Sequence, residues 1–79
     1  MWFVYVARCS DGTFYTGVTT DPARRLRDHN AGKGGAYTRS RCPVSLAFRE
    51  VHPSQSSALK REAEIKSWDR SKKERLWTA

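Results

Sequence analysis

Apolar positions crowd the start of the chain and thin out toward its end. Trp2-Phe3-Val4-Tyr5-Val6-Ala7 is an almost unbroken run of β-forming residues, and residues 13 to 18 make a second. Cys9-Ser10-Asp11-Gly12 between them is a turn signal, so the two runs predict a β-hairpin. A two-residue loop at Asp11-Gly12 would set Tyr5 against Val18 and turn Tyr5 and Tyr15 to opposite faces. A three-residue loop, Ser10-Asp11-Gly12, sets Tyr5 against Gly17 and both phenols on one face, with Gly12 supplying the left-handed residue. The three-residue loop is the expected one, and Gly17 then leaves an open spot beside a phenol. Cross-strand aromatic packing beside a bulge glycine is the bland account of the same residues.

The pattern then changes period. Asp21 is a good N-cap and Pro22 suits a first helical position, so a short helix is expected over 22–30, ended by Asn30 or Gly32. At 100° per residue, Pro22, Ala23, Leu26 and Asn30 face inward. Arg24, Arg27 and Asp28 face out, and Arg25 and His29 lie together at the edge of the stripe, bordering the core without entering it. A glycine-rich basic loop follows. Residues 44–51 read as a third strand, and a longer helix is expected over 55–68, capped by Ser54 or a neighbouring serine. A last helix should start at Ser71, where Ser71 and Glu74 match a capping box. The order is β-β-α-β-α-α. Trp68 and Trp77 are expected to close the core.

Composition narrows the functional classes. The chain has 79 residues, enough for one domain over 1–79, with an expected radius of gyration of about 12 Å. Fifteen Lys and Arg against eight Asp and Glu give a net charge of +7, which favours a polyanionic partner, nucleic acid before an anionic membrane. No apolar run is long enough to span a bilayer, and the first residues lack the basic region and cleavage site of a signal peptide. Two cysteines, Cys9 and Cys42, are too few for a disulfide framework or a four-ligand zinc site and read as reduced thiols in a cytoplasmic protein.

Three groups of residues carry candidate chemistry. Arg25 and His29, one helical turn apart, pair a phosphate fork with a group that moves protons near neutral pH. The alternative is a solvated basic helix with a chance histidine. The loop from Gly32 to Arg41 offers Lys33, Arg39 and Arg41, the aromatic Tyr37 and glycine-bared amides to a phosphate backbone, or else is a solvated surface loop. On the second helix, Ala58, Leu59, Ala63 and Ile65 span an inward arc with Glu62 at its centre, while Lys60, Arg61, Glu64 and Ser67 lie outside. An inward carboxylate needs a partner. Glu62 either pairs with Lys66 one turn on or ligates Mg²⁺, which uses one or two carboxylates and keeps several waters.

In order and spacing, Phe3-Val4-Tyr5, Tyr15-Thr16-Gly17, Arg25, His29 and Glu62 resemble the GIY-YIG nuclease superfamily. Residues 29–34 with Tyr37-Thr38-Arg39 are similar to its small stand-alone bacterial members, the YhbQ-like proteins. Both tripeptides depart from the family name: Phe-Val-Tyr stands for Gly-Ile-Tyr and Tyr-Thr-Gly for Tyr-Ile-Gly. The resemblance implies an α+β fold with a small three-stranded antiparallel sheet flanked by helices. It implies a metal-dependent endonuclease acting on DNA, with Mg²⁺ or Mn²⁺ on Glu62. Arg25 would hold the scissile phosphate, Tyr5 and Tyr15 would orient the attacking water or take its proton, and His29 would assist. Nearby Arg25 and the metal ion would lower a phenol pKa from its usual value near 10. Gly17 would be structural, and Arg24, Lys33, Tyr37, Arg39 and Arg41 would contact nucleic acid.

Many relatives carry an added DNA-binding module and an asparagine after the metal helix; this sequence has neither, so its one basic domain is expected to hold the substrate alone. A role in repair of branched or damaged DNA follows from the same resemblance. The competing readings are a nucleic-acid-binding module with weak or lost turnover and a partner of a larger DNA-repair assembly.

Overall fold

The computed structural model describes residues 1–78. Strands β1 (Trp2–Arg8), β2 (Phe14–Thr19) and β3 (Ser45–His52) form one antiparallel sheet in the order β2-β1-β3. Helices α1 (Pro22–Asn30), α2 (Ala36–Arg39), α3 (Gln55–Lys66) and α4 (Arg70–Thr78) complete the chain. The expected α+β architecture and element order are therefore present, with α2 as an unforeseen turn of helix inside the basic loop. The radius of gyration is 11.8 Å.

The central position of β1 explains its nearly continuous apolar sequence, because both of its faces are covered. Val4 and Val6 point to one face, where Ala58 and Ile65 of α3 and the rings of Trp68, Trp77 and Phe14 close a core. Trp77 meets Phe14 edge-on at 5.2 Å. Tyr5 and Ala7 point to the other face and pack with Cys9, Val44, Tyr15 and Leu26. Each fully buried valine or isoleucine contributes about 1.5–3 kcal/mol, so the two small clusters carry the sheet between them.

The hairpin has the three-residue loop. Tyr5 stands opposite Gly17 and Ala7 opposite Tyr15. The Gly12 amide donates to the Cys9 carbonyl, and Gly12 takes φ +84°. Asp11 accepts from the amide and hydroxyl of Thr13, which draws its carboxyl pKa down.

Helix α1 begins where Asp21 accepts from the Arg24 amide. It ends when Gly32, at φ +80°, lets its own amide reach the His29 carbonyl and the Lys33 amide reach that of Asp28.

Several expectations about the helices are corrected. In α1, Ala23 is exposed and His29 is fully buried, because the chain after α1 folds back over the imidazole. In α3, which ends at Lys66 rather than at residue 68, the buried side is Ala58, Ile65 and the flank of Arg61, while Leu59 and Ala63 are exposed. Arg61 lies half-buried over Trp68, 5.1 Å from the ring centroid, and ion-pairs with Glu50 and Glu64. Finally, α4 starts one residue early: Asp69, not Ser71, accepts from the Lys72 amide, and Glu74 is spent on Arg70. A second polar clip joins β3 to α3, where His52 bridges Ser57 and Glu50 at 2.7 Å each.

Candidate active site

The site is built on the Tyr5 face of the sheet. Gly17 makes it possible: a Cβ there would lie 2.7 Å from Tyr5 Oη and 2.8 Å from Cζ, so only glycine lets the ring lie flat across β2. Tyr5 is 2% exposed, and its hydroxyl is 2.9 Å from His29 Nε2. The other imidazole nitrogen, Nδ1, is 2.7 Å from Thr38 Oγ1. Both histidine and threonine are fully buried. Tyr15 packs edge-on to His29 at 5.1 Å and lies 6.2 Å from Tyr5, between centroids. Tyr37 continues the row 5.9 Å beyond Tyr15.

The basic loop supplies the cover. Gly34 passes so close over the imidazole that a Cβ would collide with His29 Nδ1. Its carbonyl accepts from Arg25 Nη2 at 3.2 Å. Cys42 Sγ sits 2.9 Å from the His29 carbonyl and 3.1 Å from that of Thr38, and the Asn30 amide brackets the backbone of Val44. Gly34 is thus a lid on the histidine, not an open amide for phosphate.

Thr38 was missed by sequence reasoning. Its only signal was a β-branched residue in a four-residue turn, too short for periodicity to mark as buried. Neither cysteine is in a disulfide.

Burial dominates the electrostatics. Desolvation pushes the Tyr5 phenol up to about 12; Arg25 beside it pulls the other way, and the charges of Tyr15 and Glu62 add to the rise. The expected lowering by Arg25 is real in sign but loses to burial. The His29 pKa is lowered by desolvation first and by the Arg25 charge second. At neutral pH the pair is therefore a neutral phenol against a neutral imidazole.

Glu62 belongs to the helix on the opposite face of the sheet. Helix α3 packs on β1 and β2, and Glu62 occupies the edge of its buried arc rather than the centre. Its side chain is 20% exposed, and its carboxylate lies 3.7 Å from Lys66 Nζ, too long for a hydrogen bond. Its charge is felt by Tyr5. Glu64 is on the solvent side as expected. Among the described residues no group of three or more His, Cys, Asp or Glu side chains converges as a metal cage. A lone, loosely held carboxylate still fits a hydrated Mg²⁺, which completes its shell with waters and substrate oxygens.

The expected nucleic-acid contacts separate into two kinds. Arg24, Lys33 and Arg39 are exposed, and Arg24 borders a cleft with Arg25, Asp21 and Asp28. Tyr37 is 40% exposed. Arg41 is not a free cation. It bonds Asp11 at 3.1 Å and the Tyr37 carbonyl at 2.8 Å and lies over the Tyr37 ring, clasping the loop to the hairpin tip.

The sheet and the loop after α1 thus bring together a buried phenol–imidazole pair beside a guanidinium, with a carboxylate on the helix behind the sheet. The GIY-YIG catalytic domain model matches residues 1–75, and the chain belongs to the GIY-YIG family. Relatives named UPF0213 protein include one from Haloquadratum walsbyi, 54% identical over 94% of this chain and 83% of its own. Another, from Halobacterium salinarum, is 53% identical over 98% of this chain and 100% of its own. The solution NMR structure of a UPF0213 protein from Bacillus halodurans is 45% identical with a TM-score of 0.60, covering 96% of this chain and 82% of that one. A protein of E. faecalis, also solved by NMR, is 44% identical with a TM-score of 0.62, over 92% and 78%. Among the described residues no helix is long and apolar enough to cross a membrane.

Proposed function

We propose that the protein is an endonuclease that hydrolyses phosphodiester bonds in DNA with the help of Mg²⁺ or Mn²⁺. The observation that carries this reading is the hydrogen-bonded row Tyr5–His29–Thr38 with Arg25 beside it. Arg25 has one nitrogen committed to Gly34, and its remaining donors are available to non-bridging phosphate oxygens, where charge develops in the transition state.

With both groups neutral, Tyr5 Oη passes its proton to His29 Nε2 while taking one from the attacking water. Nδ1–H donates a hydrogen bond to Thr38 Oγ1, which fixes the tautomer that leaves Nε2 free to accept. Tyr15, packed against the imidazole, holds the water on the open side. The new P–O bond forms to that water oxygen as the bond to the leaving deoxyribose oxygen breaks; that oxygen takes a proton from solvent, and His29 Nε2 returns its proton through Tyr5 Oη. Glu62 would hold a divalent cation, whose charge eases departure of that oxygen. Gly17 keeps Tyr5 in place.

The test is nicking of supercoiled DNA by wild type, Glu62→Ala and Glu64→Ala with Mg²⁺ or Mn²⁺. It is repeated on flap, nicked, single-stranded and intact duplexes. Glu62→Ala should lose about 100-fold or more, and Glu64→Ala should stay within about twofold. Equal residual nicking by wild type and Glu62→Ala marks contamination. It would leave a nucleic-acid-binding module in place of the enzyme.

A further inference from the structure

A second recess lies at the hairpin end of the molecule, between the start of β2, the α2 turn and the first turns of α4. It is lined by Thr13, Phe14, Tyr37, Arg70 and Lys73 and encloses about 230 Å³. That is below the usual 300–1,000 Å³ of a site for a drug-sized ligand. It suits one backbone unit of a polymer.

Its cations are arranged for an anion. The Arg70 guanidinium is stacked over Phe14, 4.8 Å from the ring centroid, with Nε tied to Glu74 at 2.9 Å. The ring holds the guanidinium from one side, and among the described residues its terminal nitrogens make no hydrogen bond or ion pair, so a phosphate meets donors already in position. Lys73 has no carboxylate partner among the described residues, unlike Lys66 and Arg61. Tyr37 forms the wall shared with the catalytic row, one ring from Tyr15. A strand crossing the site therefore runs on into this recess.

From these observations we infer that Arg70, Lys73 and Tyr37 form a phosphate-binding subsite for the nucleic-acid strand next to the scissile bond. The inference rests on the nuclease reading and deepens it. The strand is gripped on both sides of the reacting phosphate, by α1 on one and by Tyr37 with the cations of α4 on the other. Neither Arg70 nor Lys73 is marked by a sequence motif: the capping box there points to Ser71 and Glu74 and the core to Trp77.

The experiment measures binding of a fluorescein-labelled DNA duplex by anisotropy across a salt series, in EDTA so that nothing is cleaved. Wild type is compared with Arg70→Gln, Lys73→Gln and the control Lys60→Gln, which removes the same charge from an exposed position on α3. Each backbone phosphate contact contributes about 0.9 to the slope of log affinity against log salt. Arg70→Gln and Lys73→Gln should each lower the slope by about one and weaken binding about three- to tenfold at 0.1 M salt, while Lys60→Gln leaves the slope unchanged. If Lys73→Gln and Arg70→Gln follow Lys60→Gln, the subsite is refuted. The Glu62-dependent nicking would still stand, because it is read separately. Loss of that dependence with the slope changes intact would refute the enzyme and keep the binding surface.

Discussion

Replacing Gly17 by alanine tests the geometry on which the site depends. The added methyl would sit 2.7 Å from Tyr5 Oη, 2.8 Å from Cζ and 3.0 Å from Cε1. The ring cannot swing away cheaply, because Tyr5 is 2% exposed and its hydroxyl is bonded to His29. Overpacking of this kind costs about 1–3 kcal/mol, and alanine returns about 0.5–1 kcal/mol of the strand penalty of glycine. With a rigid ring as the obstacle, the net loss should be about 1–2 kcal/mol, or about 5–15 °C in melting temperature for a domain of this size. Nicking should fall about 100-fold, since displacement of Tyr5 by a fraction of an ångström breaks its alignment with His29. Thermal unfolding by circular dichroism and the nicking assay read the two effects. In a Tyr5→Leu background the ring is gone, and the same glycine substitution should cost at least about 1 kcal/mol less. The reasoning is refuted if Gly17→Ala stays within about 0.3 kcal/mol of wild type, or costs as much without the ring as with it.

Further expectations concern single groups. Between pH 10 and 12 the folded chain keeps the Tyr5 proton that the unfolded chain releases, so stability should fall with rising pH by about 1.4 kcal/mol per unit, about 2–3 kcal/mol in all; Tyr5→Phe should lack this component of alkaline unfolding. The His29 pKa is lowered, so the unfolded state binds the proton more readily; stability should be lost as pH falls below about 6.5, and His29→Gln should flatten that limb of the denaturant-midpoint profile. Thr38→Val leaves a buried imidazole nitrogen unpaired, which should cost about 1–3 kcal/mol in urea unfolding and slow nicking, with Thr38→Ser restoring both. Arg25→Ala should reduce cleavage more than DNA affinity, and an equal loss in both would make it a phosphate anchor alone. Thr16→Val removes a buried hydroxyl that has no partner among the described residues and should stabilise by about 1 kcal/mol in the same urea titration.

The hairpin could be read from residues alone because only two loop lengths were compatible with Cys9-Ser10-Asp11-Gly12, and they put the phenols on opposite or on shared faces. The helices were legible where caps are local, as at Asp21 and Ser54. Reading failed where a side chain's surroundings come from distant sequence. A helical wheel places His29 at the edge of a stripe, and nothing in the stripe says that Gly34 and Thr38 will close over it. Arg41 looks like a free cation until Asp11, thirty residues earlier, is found to hold it. Asp69 and Ser71 are both sound caps, and only the amide that actually reaches a carboxylate decides between them. A helical wheel turns Leu59 inward with its apolar neighbours, yet the buried side of α3 is Ala58, Ile65 and the flank of Arg61.

The same two-faced sheet separates two of the departures from the family tripeptides, Val4 and Thr16, from the residues the tripeptides share, while the third, Phe3, stands on the tyrosine face. Alternation sends Val4 and Thr16 toward α3 and Tyr5, Tyr15 and Gly17 toward α1. Val4 and Thr16 fill space in the core against α3, and the Thr16 hydroxyl has no partner among the described residues. Tyr5 and Tyr15 meet His29 and each other within hydrogen-bonding or ring-contact distance, and Gly17 lies against the Tyr5 ring. On α3, Glu62 stands at the edge of the buried arc beside Lys66, and Glu64, two residues on, faces solvent and pairs with Arg61.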